Sequence, residues 1–595
     1  MIERWTDDAT DPADARFARS ATGVLAAFNA AGILAAADVH VAARIAVLVG
    51  GADEETQLAV ALAVRAARGG SVCVDLGDLT ATEPGLAWPA AGWLDRVAAG
   101  PLAAASVIRV EGALLYLDRY WREEGQVRDD LLAREALAPP VVDRSALAER
   151  AARLFPGDGY AEQRAAALAA AGQWTTVLTG GPGTGKTTTV AGLLALIAAD
   201  TAPTGRPPRI ALTAPTGKAA ARLQEAVEEA QREERFTDED RARLAGLTAA
   251  TMHRLLGWRP GSSTRFAHHR GNRLPHDVIV VDETSMVSLT MMARLLEAVR
   301  PDTRLILVGD PDQLASVEAG AVLADLVAGL ADRDSAAVAA LRTTHRFGEG
   351  IGELAQALRA GDADRVLALL DAGGTRLRRV DPEDESAMAA LRTRLTAHAV
   401  ELRQYALAGD TAGALAAADR HRLLCAHRDG PWGAQHWNRQ VDLALAEHAG
   451  AWLGDWYAGR PVLITANDYS VGLFNGDTGV TVAGPDGALT VQIAGGTGYA
   501  TSRLGDVETL HAMTVHKSQG SQAREISVLL PPADSPLLTR ELFYTAVTRA
   551  QEQVTVIGSR EAVVAAVTQR AQRATGLRRR LTQPSADPDA PPTGR

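Results

Sequence analysis

Short apolar runs alternating with longer amphipathic stretches set the rhythm of most of this chain. Strand-like runs at 174–178, 209–213, 278–281 and 305–308 each end on polar or glycine-containing residues. Helix-length segments separate them, which predicts a parallel sheet buried on both faces, with ligands beyond the carboxyl ends of its strands. A second alternating region, about 346–560, places strands at 423–426, 462–465, 526–530 and 554–557. Within it, 473–505 is rich in glycine, valine and threonine, and Asn475-Gly476 is a hairpin signal, so a small β insertion is expected over about 466–510. Ahead of both regions, 1–140 reads as helical and Ala-rich, with 17–37 and 54–67 spaced like amphipathic helices.

The aromatic stretch LLYLDRYW, 114–121, falls at helical spacing and is expected in a core rather than on a docking surface. Pro139-Pro140 marks a boundary, giving units at 1–140, 141–345, 346–560 and 561–595. The span 225–275 holds Arg265, His268, His269, Arg270 and Arg273 and reads as a solvated excursion, with a nucleic-acid contact as the sharper alternative. The tail from Thr582 has the composition of a disordered segment.

Bulk numbers narrow the class. At 595 residues the chain exceeds one core, and about 100–200 residues per domain gives three to five units. Its 47% hydrophobic and 22% charged residues are those of a soluble globular protein. The acidic N-terminus and the lack of a long apolar run argue against a signal peptide or membrane span. Two distant cysteines, Cys73 and Cys425, fit no metal-ligand spacing and suggest a reducing cytoplasm. A net charge of −11 disfavours coating nucleic acid by bulk attraction but permits a local channel. Of 61 basic residues only three are lysines, Lys186, Lys218 and Lys517. A compact ammonium is not interchangeable with a planar fork where it must fit a phosphate cage, so each marks a position of interest.

Lys186 lies in VLTGGPGTGKTTT, which fits G-x-x-x-x-G-K-[ST] between a strand-like and a helix-like run. The loop Gly180, Gly181, Pro182, Gly183, Thr184 and Gly185 can turn backbone N–H groups around a phosphate. Lys186, Thr187 and Thr188 then open a helix whose N-terminus carries partial positive charge. Lys186 can reach β and γ phosphates and the Thr187 hydroxyl can hold Mg²⁺, so ATP and Mg²⁺ are the expected ligands. The plain alternative is an ordinary Gly-rich turn.

Asp282 and Glu283 end the run 278–281, at the tip of a strand expected next to this loop. Asp282 would hold Mg²⁺, usually through water, and Glu283 would orient or deprotonate the attacking water. Gln313, in GDPDQ after the next strand, offers an amide that can feel the γ-phosphate. Arg346, in LRTTHRF, and Arg549, in YTAVTRA, could stabilise transferring phosphoryl charge from an opposing face, with surface salt bridges as the alternative for each. Gln163 could bond the adenine edge or occupy a solvated helix position.

TAPTGKAA, ATMHRLLG and TVHKSQGSQ each join a strand-like segment to a helix start, where free N–H groups can bind phosphate. Candidate contacts are Thr213, Pro215, Thr216 and Lys218 in the first, Thr251 and His253 in the second, and Thr514, His516, Lys517, Ser518 and Gln519 in the third. So many sites exceed one nucleotide's needs and suit a repeating polyphosphate such as a nucleic-acid backbone.

In order, GGPGTGKT, TAPTGKAAARL, VVDETSM, LVGDPDQL, THRF, TVHKSQGSQ and YTAVTRA resemble the motifs of superfamily 1 helicases over roughly 150–560. LFNGDTG and CAHRDGPWG look like the RecD branch, whose members move 5′→3′ on single-stranded DNA. The N-terminal unit, with DVHVAARIA and LYLDRYW, is similar to that of exodeoxyribonuclease V alpha subunits. The resemblance implies an α/β fold of two RecA-like motor domains, a helical docking domain and an SH3-like β insertion. It also implies a heterotrimer with RecB-like and RecC-like subunits on single- and double-stranded DNA ends, in double-strand break repair, with the nuclease in the beta subunit. The common carboxylate nuclease centre needs a lysine beside its acidic residues, and all three lysines here fall in the other motifs, so this chain is not expected to cut DNA itself. Two alternatives stay open, a standalone 5′→3′ helicase and a P-loop switch or scaffold without motor activity; the first 140 residues lack the standalone type's helix-hairpin-helix signature.

Overall fold

A computed structural model describes residues 17–583 apart from 84, 201–205, 260–264, 344–348, 451, 469–470 and 495. The N-terminal unit carries helices Gly23–Ala30, Ala36–Leu48 and Glu54–Arg68 beside an antiparallel sheet of β1 (Cys73–Asp75), β2 (Ile108–Glu111) and β3 (Leu114–Leu117), ordered β1-β3-β2. The helical reading of this unit therefore needs a sheet added. The helix expected over 17–37 is broken between Ala30 and Ala36, where Gly32 takes φ 73. LLYLDRYW is half strand. Gly112, at φ 63, turns β2 into β3, burying Leu115 and Tyr116, and a helix begins only at Asp118.

That helix, Asp118–Glu135, fastens the unit to the first lobe. Tyr116, Val127 and Leu131 share one apolar core with Ile279, Val281, Leu295 and Leu305. Arg134 is buried and donates to Thr175 Oγ1 (2.8 Å), Arg300 O (2.7 Å), Trp174 O (2.7 Å) and Thr303 O, so its charge is solvated by carbonyls. The C-terminal helix Leu577–Thr582 returns to the same core through Leu577 and Leu581, so the segment around Thr582 is ordered up to there; 584–595 lie outside the described residues.

Six parallel strands form the first lobe: β4 (Thr175–Gly180), β5 (Ile210–Ala214), β6 (Ala249–Thr251), β7 (Val278–Val281), β8 (Arg304–Gly309) and β9 (Val338–Leu341), ordered β6-β5-β7-β8-β4-β9. VIVV of β7 is buried throughout, as a strand covered on both faces requires. The apolar helix Lys186–Ala199 lies against the sheet, buried from Thr189 to Ala198. The span 225–275 is not a free excursion. β6 joins the sheet, Phe236 and Leu244 enter the core, Asp240 pairs with Arg153 at 2.7 Å, and Arg270 pairs with Asp130 at 2.9 Å.

The second lobe takes β10 (Leu377–Val380) and β11 (His421–Cys425). An insertion follows, with β12 (Pro461–Ile464), β13 (Thr478–Ala483), β14 (Leu489–Ile493), β15 (Thr497–Ala500) and β16 (Val507–Thr509). The chain then returns through β17 (Ala512–Thr514), β18 (Ala523–Leu529) and β19 (Ala550–Ile557). The parallel sheet is ordered β10-β19-β18-β11-β17, and the antiparallel insertion sheet β15-β14-β13-β12-β16. The expected strand 462–465 thus belongs to the insertion, not to the parallel sheet. An apolar run of that length does not encode the direction of its partners.

Candidate functional site

The loop after β4 has the shape its glycines demand. Gly183 and Gly185 take φ 81 and 83, and Gly185 caps the helix that Lys186 begins. A Cβ on Gly180 would stand 2.5 Å from Thr184 Oγ1 and 2.9 Å from Leu341 O, so no side chain fits there. Thr184 Oγ1 donates to Gly181 O at 2.9 Å, and Lys186 Nζ donates to Gly180 O (2.6 Å) and Gly181 O (3.0 Å). Burial lowers the Lys186 pKa, and the facing carboxylates of Asp310, Glu283 and Asp282 oppose that. Gln163 is 1% exposed and donates to Thr184 O at 3.1 Å, so it braces the loop and is not solvated. Pro182 lies in the turn, and Thr187 and Thr188 lie half-buried in the first helical turn.

Asp282 and Glu283 leave the end of β7. The strand order puts β8 between β7 and β4, so the acid pair is one strand removed from the loop, not next to it as the sequence suggested. Asp282 N–H donates to Thr213 O at 2.9 Å, and Glu283, in the left-handed region at φ 49, donates its N–H to Asp282 Oδ1 at 2.8 Å. Such a conformation is strained for a non-glycine residue. Burial raises the Asp282 pKa, and Glu283 adds to the effect.

Asp310, fully buried after β8, is the hub between the lobes. It accepts from Gln313 Nε2 (3.1 Å), from Asp312 N–H (3.1 Å), and from two second-lobe groups, Tyr544 Oη (2.9 Å) and Arg359 Nη2 (3.3 Å). Arg549 Nη2 donates to Gln313 Oε1 at 3.1 Å. Leu314 N–H donates to Thr545 Oγ1 (2.8 Å), Gln519 Nε2 to Leu314 O (2.7 Å), and Arg222 Nη1 to Gly520 O (2.9 Å). Burial pulls the Arg549 pKa down, and the Glu283 carboxylate pulls it back up. Arg346 lies outside the described residues. Sequence reading passed over Asp310, Tyr544 and Arg359; GDPDQ and YTAVTRA flagged the first two only by their neighbours.

The expected nucleic-acid contacts divide. Thr213 and Ser518 are buried, with hydroxyls spent on Ala250 O (2.8 Å) and Val515 O (2.7 Å), so neither side chain faces a groove. Gln519 faces the other lobe instead. Thr216 and Thr251 cap helices by accepting from Ala219 N–H (3.2 Å) and Arg254 N–H (3.3 Å), and Thr514 Oγ1 accepts from Lys517 N–H (3.3 Å). Pro215 lies in the half-buried link between β5 and the helix that Thr216 caps. Lys218 lies under the insertion, 3.4 Å from Thr478 Oγ1; burial and Arg422 push its pKa down to about 8. Lys517 pairs with Glu508 at 2.6 Å. His253 lies against Phe266, and burial lowers the pKa of both His253 and His516.

Two parallel sheets joined across a phosphate loop by paired polar contacts are the architecture of the two-lobed superfamily 1 helicases, ATP-dependent DNA motors. Family models match as follows: the AAA domain over 159–381, the UvrD-like helicase C-terminal domain over 509–557, and the N-terminal domain of RecBCD enzyme subunit RecD over 30–115. The chain is 61% identical over 557 residues to RecBCD enzyme subunit RecD of Mycolicibacterium smegmatis, covering 92% of this chain and 98% of that one. It is 59% identical over 585 residues to its namesake from Mycobacterium tuberculosis, covering 96% and 98%. The chain belongs to the RecD family. Among solved structures it is similar to Pif1 helicase from Bacteroides in complex with ADP-AlF3 and ssDNA, at 15% identity over 65% of this chain and 90% of that one, with a TM-score of 0.36. Among the described residues no helix is long and apolar enough to cross a membrane.

Proposed function

We propose that the chain is the ATP- and Mg²⁺-dependent motor of a heterotrimer with RecB-like and RecC-like subunits, moving 5′→3′ on single-stranded DNA and opening duplex ends. The observation that supports this reading is the Arg549–Gln313 bond, which brings a cation of one lobe to the amide of the other that would feel the γ-phosphate. Lys186 would leave the carbonyls of Gly180 and Gly181 for the β and γ phosphates, and Glu283 would orient the attacking water. Arg549 and Arg346 would meet the charge spread over the transferring group. Gln519 ties the stretch 514–519 to the turn that holds Gln313, so a change at the phosphate is felt along the DNA track.

The donor set suits Mg²⁺: the Thr187 hydroxyl would bind it and the Asp282 carboxylate would hold it, usually through water, with phosphate oxygens and further waters making up the shell. Among the described residues no cluster of three or more His, Cys, Asp or Glu offers a rival metal site. When bound, the ion would offset negative charge on the phosphates. Both thiols are buried and free, in keeping with work in a reducing cytoplasm.

Strand displacement by the assembled complex tests the reading. Duplexes with a 5′ tail are opened by this chain's motor and those with a 3′ tail are not, once the partner motor is disabled. Lys186→Gln abolishes that opening while the complex still assembles. Normal displacement by Lys186→Gln, or preference for the 3′ tail, contradicts it.

A further inference from the structure

A second-lobe arginine that no sequence motif singled out stands over the phosphate loop. Arg359 lies in the last turn of the helix Glu349–Ala360. A Cβ built on Gly181 would lie 2.9 Å from its Nη2 and 3.1 Å from Tyr544 Oη, so the guanidinium roofs the turn that Lys186 closes from below. Its Cζ lies over the Tyr544 ring, 5.3 Å from the centroid.

Its partners are unequal. Asp310 is fully buried and, besides Arg359, accepts from the Tyr544 hydroxyl, the Gln313 amide and the Asp312 N–H. Asp312 is half exposed; its Oδ2 lies 2.9 Å from Arg359 Nε, but the N–H is not aligned, and Nε has no hydrogen-bond acceptor. An ion pair with a solvated carboxylate is worth little. A dianionic phosphate offers oxygens in the geometry a guanidinium fork matches, and charge-assisted bonds of that kind are the stronger ones. Arg359 is therefore held loosely, beside the loop, by a carboxylate that has other donors.

We propose that Arg359 is a nucleotide-state sensor, exchanging Asp310 and Asp312 for the terminal phosphate of a nucleotide held by the loop 180–187. The exchange draws the helix Glu349–Ala360, and with it the second lobe, toward a triphosphate but not toward a diphosphate. This rests on the reading of that loop as the ATP site. Arg359 touches the nucleotide itself in this proposal and is distinct from Arg549, which binds Gln313 and not Asp310.

The test is equilibrium binding of ATPγS and ADP to the full chain. Arg359→Gln lowers ATPγS affinity by about tenfold or more while ADP affinity stays within about twofold. Asp312→Asn, which leaves Asp310 as the arginine's remaining carboxylate partner, keeps or raises the preference for ATPγS. Should Arg359→Gln fail to fold, Arg359→Lys, which keeps the charge but lacks the fork, carries the same comparison. Equal losses for both nucleotides would show that Arg359 only holds the fold, and unchanged affinities would show that it touches neither; either overturns the proposal. Wild-type protein that binds neither nucleotide would remove the ATP site itself, and this inference with it.

Discussion

Arg549 of the second lobe donates to Gln313 of the first at 3.1 Å, and the same Gln313 amide donates its Nε2 to Asp310. The amide is thus fixed at both ends, and its orientation cannot change without moving the arginine or the aspartate. Both side chains are nearly sealed from water, Arg549 at 3% and Gln313 at 6% exposure. In such surroundings a bond lost on one side leaves a donor or acceptor unpaired, which is costly. Under the proposed reading, a disturbance at the phosphate would pass from Gln313 to the other lobe through this bond.

Removing the cation should cost turnover more than binding. Arg549→Ala is expected to lower kcat for DNA-stimulated ATP hydrolysis on the order of 10³-fold, with a smaller change in KM. Arg549→Lys should recover little, because an ammonium cannot hold Gln313 while also reaching a phosphate. Steady-state kinetics on both variants check this.

Gln519 reaches Leu314 O, one residue beyond Gln313. Gln519→Ala is expected to reduce the ratio of DNA-stimulated to unstimulated ATPase by at least about fivefold, a typical coupling between two sites. Titration with single-stranded DNA at saturating ATP measures the ratio.

Gly192 sits in the helix behind the phosphate loop, where a Cβ would meet the Phe155 ring at 2.3 Å. Phe155 is fully buried and has nowhere to retreat. Alanine gains about 1 kcal/mol of helix propensity there, but overpacking costs about 1–3 kcal/mol. Gly192→Ala should lower Tm, whereas the same change at Gly159, which meets nothing within 4 Å, should not.

Glu124, which accepts from Gly576 N–H at 2.9 Å in the C-terminal strap, should make that strap pH-sensitive. Burial raises its pKa from 4.5 to about 7, against the pull of Gly576 and Arg580. The folded state therefore binds the proton more tightly than the unfolded chain. Its stabilising contribution is fully present below pH 4.5 and is lost as pH rises through about 7. Glu124→Gln keeps a neutral acceptor, so the Tm of this variant relative to wild type should rise between about pH 5 and about pH 8. A constant difference would contradict the assignment.

How much was legible depended on what each residue's neighbours had to be. VIVV at 278–281 and the glycines at 180–185 carry their own structure, because burial on two faces and positive φ leave few other solutions. β6, three residues long, and β9, whose VAAL is as good a helix as a strand, have no local signature and are set by the sheet edges they complete. Hydroxyls at Thr213 and Ser518 looked available for DNA because a sequence does not reveal which carbonyl will take them. Arg359 was invisible for the same reason: LAQALRAGD is an ordinary helix end, and only the packing of the second lobe lays it over Gly181.

The central claim is that the two lobes form one ATPase governed by DNA. ATP turnover by the full chain, wild type beside Arg549→Ala, with increasing single-stranded DNA, tests it most directly. The account predicts a rate that climbs with DNA and saturates in the wild type and stays flat in the variant. A wild-type rate indifferent to DNA, or a variant that responds as the wild type does, would contradict it.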